Sequence, residues 1–383
     1  MMKSKFDQRK NVTVSYKSFL IKLTFSFSVI FFFSTNSYSN SSKRSPWPIK
    51  GQIVIGNLFH TPLSIRGEIY FHHGIDVLAD PGTQVYAVSP GIGQLFFDSQ
   101  NTDYRTGIIV TEKSGKTWVY LHLNPSTIPS KFDNTYFHVR VKRGELLGAV
   151  TGAGNTFPHL HIELWEGKRP IDPMLYLKLI KDIVAPRIKE IVFFKNASDQ
   201  YFEKKNNKFI ILSGNIDIVA NITDLIPPSL YELTPYEIYY SVKSLDKNNK
   251  AKIPKTLSYR FKTLPGVNKV RPASGYNVDP LIYDLKGKIF EIFKYNKKYS
   301  TKNRYLNYKR NYYFVVTNGF NGKVDDKNGC WRTKLLNGKG KPVFPNGKYR
   351  VTIYAKDYYG NEATRFVDVI LNNSFKKVSN YKQ

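Results

Sequence analysis

The most constraining feature of this sequence is a succession of short apolar or alternating runs from Gly51 to about Leu177. Glycine, proline, asparagine and aspartate separate the runs, and no stretch has the spacing of an amphipathic helix. Short runs with turn residues between them indicate β-strands, so we predict a mainly β fold built as an antiparallel sheet or sandwich. The runs are QIVIGNLF, TQVYAVSPGIGQLFF, TGIIVTEKSGKTWVYLHL, FHVRVKRGELLGAV and HLHIEL.

A second β pattern follows a short connecting segment. Residues 172–188 (DPMLYLKLIKDIVAPRI) indicate a short helix and a linker, and alternating runs return after them. In the last hairpin, Tyr349, Val351 and Ile353 alternate along one face. By this pattern we predict an immunoglobulin-like β-sandwich over residues 187–372.

The first 39 residues have the layout of a secretory signal peptide. Six basic residues precede the apolar run LTFSFSVIFFF, and small polar residues follow, with Ser37-Tyr38-Ser39 fitting a cleavage site. The run is shorter than the ~20 apolar residues of a membrane-spanning helix. We expect export to the periplasm, the cell envelope or the extracellular space, with an uncleaved anchor as the alternative.

The single cysteine of the chain excludes an intramolecular disulfide, so the exported fold must depend on its apolar cores. The predicted parts follow one another in simple order. They are the signal peptide (1–39), a lead-in (40–50), a first β domain (51–178), a linker (179–186), the sandwich (187–372) with a basic insertion (241–310), and a tail (373–383).

The positive charge of the chain is concentrated in its C-terminal half. The formal net charge is +29, yet residues 51–184 carry twelve basic and twelve acidic residues, whereas residues 241–310 carry eighteen and four. Such a surface attracts polyanions in general. Because export is expected, the predicted partner of 241–310 is an anionic wall polymer or a membrane surface, and nucleic acid is not expected. The alternatives are a protein partner for the C-terminal domain, or solvated lysines that bind nothing specific.

Two histidines stand on alternate positions of one apolar run, in TFPHLHIEL (residues 156–164). On a β-strand, residues i and i+2 face the same side. His159 and His161 therefore project together, while Leu160 and Ile162 pack into the core. Two neighbouring imidazoles can bind one metal ion, or one binds it while the other carries a proton. An ordinary half-buried pair, hydrogen-bonded to backbone or water, is the alternative.

The segment FHHGIDVLAD supplies further ligand types. His72 and Asp76 are four apart across a glycine, so both can turn toward a single ion. With one histidine of the 159–161 pair they provide three protein ligands and an open fourth position, as in catalytic zinc sites. His73 is the alternative to His72. His122, which ends the run WVYLH, is the remaining candidate because a side chain there can face a cleft.

Taken together and in this order, these motifs resemble the lysostaphin-type (LytM-like) zinc metallopeptidases, which cut peptides of peptidoglycan. The blocks that carry the resemblance, within about 51–177, are HHGIDVLADPGTQVYAVSPGIG, YLHLN, VRVKRGELLGAVTGAG and FPHLHIELW. The resemblance implies an antiparallel β-sheet metallopeptidase domain over 51–178. It also implies one zinc ion per chain, held by His72, Asp76 and His161, with His122 and His159 handling protons and stabilising the oxyanion.

Glu163 follows the histidine pair, and its parity with His161 places both side chains on one face. It can therefore orient a ligand histidine through a hydrogen bond, and a surface glutamate is the alternative.

The sequence thus predicts an exported zinc metalloendopeptidase, a hydrolase of peptide bonds in the cross-links or stem peptides of peptidoglycan. Zinc lowers the pKa of its water to about 7 and polarises a carbonyl, and a neutral imidazole can carry the proton. The alternative is a non-catalytic cell-wall-binding or regulatory protein with a LytM-like fold.

Overall fold

The computed structural model describes residues 44–65, 68–96, 106–132, 139–152, 157–196, 200–205, 209–262, 264, 310–318 and 329–374. The predicted signal peptide lies outside these residues, as do most of the basic insertion 241–310 and most of the tail 373–383. Within the described ranges, no helix is both long enough and apolar enough to cross a membrane.

The described residues of the N-terminal half form twelve short strands. They are β1 (Ile55–Asn57), β2 (Pro62–Ile65), β3 (Glu68–Phe71), β4 (Gly74–Leu78), β5 (Gln84–Tyr86), β6 (Gly91–Phe96), β7 (Gly107–Thr111), β8 (Lys116–Leu121), β9 (Val139–Val141), β10 (Leu146–Ala149), β11 (His159–Glu166) and β12 (Arg169–Ile171).

One large antiparallel sheet positions the candidate site. Its strand order is β1-β4-β11-β8-β7-β6-β9, and β12 pairs with one end of β11. The segment EKSGKT holds the turn of the hairpin that joins β7 and β8. Strand β11 lies inside the sheet, paired with β4 on one side and β8 on the other, and its Leu160, Ile162 and Leu164 side chains are fully buried. Strands β5 and β10 form a separate pair, as do β2 and β3.

The C-terminal half contributes two further sheets. Its strands are β13 (Arg187–Lys195), β14 (Lys204–Lys205), β15 (Phe209–Leu212), β16 (Asn215–Thr223), β17 (Glu237–Ser244), β18 (Lys252–Arg260), β19 (Tyr313–Val315), β20 (Trp331–Arg332), β21 (Gly347–Lys356) and β22 (Glu362–Leu371). One sheet has the order β13-β16-β19, with β20 also on β16, and the other has the order β14-β15-β22-β21-β17-β18.

The described helices are single 3-10 turns, at Pro125–Thr127, Ser130–Phe132, Pro173–Leu175 and Val316–Asn318. The predicted mainly β fold with antiparallel sheets is therefore confirmed. The pair β15–β22 is parallel, and the immunoglobulin-like assignment of 187–372 stays a prediction.

The short helix expected at the start of 172–188 is reduced to the turn Pro173–Leu175. Beyond it the backbone pairs with the lead-in segment instead. The amide of Ser45 donates to Tyr176 O at 2.8 Å, and the amide of Lys178 donates to Ser45 O at 2.9 Å. These partners satisfy backbone groups that a longer helix would have paired internally.

The two halves share one apolar core, and residues Ser41–Gln383 form one compact unit. His60 is fully buried, donates from Nε2 to Pro235 O at 2.7 Å, and stacks on Phe261 with ring centroids 3.8 Å apart. Burial lowers the pKa of His60 to about 3, so its imidazole is neutral. Ser229 Oγ donates to Ile55 O at 2.7 Å. The C-terminal half thus packs directly against the first strand of the large sheet.

Candidate metal centre

The register of β4 and β11 brings the predicted residues together. His161 lies directly opposite Asp76 across the two strands, and Glu163 lies opposite Gly74. His159 and His161 share one face of β11, as their spacing predicts, while Leu160 on the other face is fully buried. The imidazole and aliphatic side chains alternate in the sequence because successive residues of a strand face opposite sides of the sheet.

Three side chains converge on one point between these strands. His72 Nε2 lies 3.0 Å from His161 Nδ1 and 3.1 Å from Asp76 Oδ1, and His161 Nδ1 lies 2.9 Å from the same carboxylate oxygen. All three residues are buried. His73 points elsewhere, with its ring edge-on to Trp165 at 6.0 Å between centroids. The geometry therefore favours His72 over His73 as a donor.

Contacts outside this trio orient its imidazoles. His72 Nδ1 lies 3.0 Å from Leu58 O, so this nitrogen carries the proton and turns Nε2 toward the centre. His161 Nε2 lies 2.9 Å from Glu163 Oε1, which turns Nδ1 inward in the same way. Trp165 Nε1 donates to Glu163 Oε2 at 2.6 Å, so the glutamate is itself fixed.

The Asp76 carboxylate has a support that the sequence did not reveal. Asn57, on β1, lies opposite Asp76 on β4 and donates from Nδ2 to Asp76 Oδ2 at 2.7 Å. Arg310, from the C-terminal half, donates from one guanidinium nitrogen to Asn57 Oδ1 at 3.1 Å and to Gly56 O at 2.9 Å. Its guanidinium also lies over the Tyr231 ring, 4.6 Å from the centroid. No local pattern marks Asn57, and Arg310 belongs to a basic run whose members look alike.

Two further histidines border the trio. His159 Nδ1 lies 2.8 Å from Phe157 O, which turns Nε2 to within 3.4 Å of Asp76 Oδ1. The His122 ring lies 4.7 Å from that of His159 and 5.8 Å from that of His161, between centroids. His122 has φ 66°, a left-handed conformation that is uncommon for a residue with a side chain. Such strain at the end of β8 is typical of functional positions, where the fold holds one side chain in place.

Gly74 explains why a glycine separates the histidine from the aspartate in H-x-G-x-D. A Cβ at position 74 would lie 2.9 Å from His161 Nε2 and 3.0 Å from Glu163 Cγ, besides pressing on Ile162 O. These separations are shorter than van der Waals contact. The absence of a side chain therefore makes room for the His161–Glu163 hydrogen bond.

The electrostatics of the centre favour a positive charge. Burial would raise the pKa of Asp76, but the neighbouring His72 and His159 and the hydrogen bond from His161 hold it well below its usual range. Burial would lower the pKa of His161, but hydrogen bonds to Asp76 and Glu163 raise it to about 10. The pKa of Glu163 is lowered by the His161 hydrogen bond against the effect of burial. Two buried carboxylates thus remain ionised beside the imidazoles.

The donor set fits zinc. Two histidine nitrogens and one carboxylate oxygen, each offering one ligand atom, lie within 4.8 Å of one another. Tetrahedral ligands of zinc at about 2.0–2.2 Å stand roughly 3.3–3.6 Å from each other. The observed separations of 2.9–3.1 Å are slightly smaller, so small side-chain rotations would accommodate the ion. Three protein donors leave a fourth tetrahedral position for a water or a substrate oxygen.

The candidate metal centre lies within a segment of the chain that matches a known protein family. Residues 70–173 match peptidase family M23 over slightly more than a quarter of the chain. The match includes all six predicted site residues, His72, Asp76, His122, His159, His161 and Glu163. The family resemblance predicted from the sequence is confirmed, and the match supports the interpretation of this part of the chain as a peptidase domain.

Solved structures resemble the same part of the chain. One is the catalytic domain of lysostaphin from Staphylococcus simulans, with 26% identity, covering 36% of this chain and 90% of that one, at TM-score 0.25. A zinc-containing peptidase from Vibrio cholerae (23% identity, 34% and 39% covered, TM-score 0.27) and Csd3 of Helicobacter pylori (23%, 37% and 38%, 0.27) are also similar. This chain covers less than half of the latter two. A search of the curated proteins found no match. These TM-scores are low, so the evidence for function comes from the family match and the site residues.

Proposed function

We propose that this chain is an exported zinc metalloendopeptidase that hydrolyses peptide bonds in the cross-links or stem peptides of peptidoglycan. The observation that carries the proposal is the convergence of five side chains, of which three form a donor set and two border it. His72, Asp76 and His161 would hold one zinc ion, and His122 and His159 would act on the substrate. When bound, zinc supplies a Lewis acid that polarises the scissile carbonyl and acidifies a water molecule.

The histidines beside the donor set carry the protons. Because His159 Nδ1 is engaged by Phe157 O, Nε2 is the nitrogen that faces the centre. In its neutral form it accepts a proton from the attacking water and returns it to the leaving amine. The His122 ring lies next to that of His159 and, as a donor, stabilises negative charge that develops on the carbonyl oxygen.

Glu163 and Asn57 act as positioning residues. Glu163 holds His161 with Nδ1 inward, and Asn57 holds the Asp76 carboxylate through its second oxygen. Each contact fixes a donor before the ion arrives, which reduces the rotamer freedom lost on binding.

Digestion of murein sacculi tests this proposal. Purified protein with stoichiometric zinc should release fragments whose masses identify the cleaved bond, and a chelator should stop the release. His161→Ala should lose both zinc and activity. Asp368→Asn, which removes a half-buried carboxylate paired with Arg350, is the matched control and should retain both. Stoichiometric zinc without cleavage of any peptidoglycan tested would support a non-catalytic wall-binding or regulatory protein instead.

The same proposal assigns the basic insertion 241–310 to an anionic wall polymer or membrane surface, with a protein partner as the alternative. Binding of the full chain to sacculi should weaken as salt rises, since exposed charges are screened. Replacing Lys294, Lys297 and Lys298 by glutamine should reduce both the affinity and its salt dependence. Affinity that is independent of salt would contradict a role for these charges.

A further inference from the structure

A second group of buried acidic side chains lies outside the histidine centre. Asp182 belongs to the segment after the 3-10 turn at Pro173–Leu175, Asp224 directly follows β16, and Asp357 directly follows β21. Each contributes a carboxylate oxygen, and these oxygens lie within 4.8 Å of one another. The three residues are 8%, 2% and 2% exposed. Three distant segments of the chain thus bring carboxylates into one buried place.

Two oxygens of this aspartate cluster, Asp182–Asp224–Asp357, have no hydrogen-bond partner among the residues that the structure describes. The Oδ1 atoms of Asp182 and Asp224 accept from the amides of Val184 and Leu225, each at 2.9 Å. Their Oδ2 atoms are buried and unpaired. Buried polar atoms are rarely left without a partner, because their desolvation is then uncompensated.

The third carboxylate is held in a fixed orientation. Asp357 Oδ1 accepts from the amides of Tyr359 and Asn361, at 2.8 and 2.9 Å, and Oδ2 accepts from Asn361 Nδ2 at 2.6 Å. Asn361 Nδ2 also lies 3.3 Å from the backbone oxygen of Asp182, which joins the two segments. The turn between β21 and β22 is therefore arranged around this carboxylate.

Among the residues that the structure describes, no lysine or arginine forms an ion pair with any of the three aspartates. Burial raises the pKa of Asp224 to about 8, and the nearby Asp357 and Asp182 add to the effect. The cluster as it stands is electrostatically unfavourable, and a cation would relieve both the repulsion and the unpaired oxygens.

We propose that Asp182, Asp224 and Asp357 form a binding site for a hard divalent cation of the Ca²⁺ type. All the donors are oxygen atoms, which are the ligands that Ca²⁺ prefers. Zinc is bound mainly by nitrogen and sulfur ligands, so it fits this cluster less well. The three carboxylate oxygens lie within 4.8 Å of one another, close enough to share one Ca²⁺ ion with ligand distances of about 2.3–2.6 Å. Mg²⁺ demands near-ideal octahedral geometry and gives up its waters reluctantly, so a buried group of three carboxylates from separate segments favours Ca²⁺.

The cation would tie the connecting segment to the ends of two C-terminal strands. Tyr358, next to Asp357, donates to Asp172 Oδ2 at 2.5 Å, so the same turn also contacts the N-terminal half. Binding at the cluster therefore stabilises the packing of the two halves. It acts on the stability of the chain and leaves the histidine centre to zinc.

Calorimetric titration of the zinc-loaded full chain with CaCl2, together with thermal unfolding, tests the site. We expect one Ca²⁺ per chain and a rise in Tm of at least about 4 °C at saturating Ca²⁺. Mg²⁺ at the same concentration should give a smaller rise. No heat and no shift with Ca²⁺, or an equal shift with Mg²⁺, would overturn the Ca²⁺ assignment.

Asp224→Asn separates a cation site from a merely structural cluster. The variant keeps an acceptor for the Leu225 amide and places an amide donor beside the remaining carboxylates, so it should fold. Without Ca²⁺ its Tm should equal or exceed that of the wild type, and with Ca²⁺ it should show no shift. Asp368→Asn, on β22, and His161→Ala, at the other centre, should both retain Ca²⁺ binding. Unchanged Ca²⁺ affinity in Asp224→Asn would refute the proposal.

Discussion

Asn57 donates to Asp76 Oδ2 at 2.7 Å and accepts from Arg310, a residue 253 positions further along the chain. The amide group therefore transmits the position of a C-terminal side chain to a proposed metal ligand in the N-terminal half. Both residues are buried, so neither bond competes with bulk water.

Asn57→Ala should weaken zinc binding by about 10–100-fold, the usual effect of losing a partner of a metal ligand. The Asp76 carboxylate would keep its charge but lose the donor that fixes its orientation. Competition with a chromophoric chelator measures the affinity. Asn249→Ala, which removes a hydrogen bond to Tyr349 far from the centre along the chain, is the control and should leave zinc binding unchanged.

Arg310→Lys should weaken zinc binding, since a lysine cannot reproduce the paired contacts with Asn57 and Gly56. The loss should be smaller than in Asn57→Ala, because Asn57 itself donates to Asp76. If Arg310 acts through Asn57, the double variant should bind zinc no more weakly than Asn57→Ala alone. Strictly additive losses in this double-mutant cycle would show that the two residues act independently.

His159→Ala and His161→Ala should differ in kind, although the two histidines are neighbours on one face of β11. Losing His161 removes a donor and should abolish stoichiometric zinc. Losing His159 should leave zinc bound and lower the rate of peptide hydrolysis by about 10²–10⁴-fold, the usual contribution of a general base. Zinc content and hydrolysis rate measured on the same preparations decide this. Loss of zinc from His159→Ala would assign that histidine to the donor set.

Gly74→Ala should destabilise the fold by about 1–3 kcal/mol and displace the His161–Glu163 pair, because the added Cβ overlaps Ile162 O and the site side chains. Denaturant unfolding and zinc content measure the two effects. Gly338→Ala is the control, since a Cβ there meets open space. Equal stability of the two variants would show that the backbone around Gly74 yields readily.

The stability of the chain should depend on pH through Asp172. Burial raises the pKa of its carboxyl to about 7, against about 3.9 in an unfolded chain. Between these values the folded state binds more protons than the unfolded state, so stability falls as pH rises from about 4 to about 7. The slope from this group is at most about 1.4 kcal/mol per pH unit.

Asp172→Asn should flatten that slope, as measured by the free energy of unfolding at several pH values. The asparagine can still accept from the Met174 amide, so local structure should be retained. Asp368→Asn is the control. Its carboxyl has a pKa lowered by the Arg350 hydrogen bond, so its replacement should not flatten the decline. An unchanged slope in Asp172→Asn would place the responsible group elsewhere.

Much of the site could be predicted from the sequence because its determinants are local. The period of a strand places His159, His161 and Glu163 on one face, and the order of the motifs selects their companions. The sequence predicts a short helix in 172–188, whereas the structure has only the turn Pro173–Leu175 there. The local sequence does not reveal this difference, because the next residues pair with Ser45, about 130 positions earlier in the chain.

The remaining parts depend on contacts between distant segments. The pairing of β1 with β4, which sets Asn57 against Asp76, has no signature in either run. Arg310 and the three aspartates of the second cluster are ordinary charged residues until the fold brings them to their partners. Residues of this kind become visible only when burial and hydrogen bonding are known.

The hydrogen bonds from Ser229 to Ile55 and from Arg310 to Gly56 have a practical consequence. They fix the first strand of the large sheet to the C-terminal half, so a fragment trimmed to residues 51–178 would be a poor substitute for the whole chain. A compound that binds between β1 and the C-terminal half should inactivate the proposed hydrolase without contacting the proposed zinc donors. Inhibitor design against this chain therefore has a second target besides the proposed metal centre.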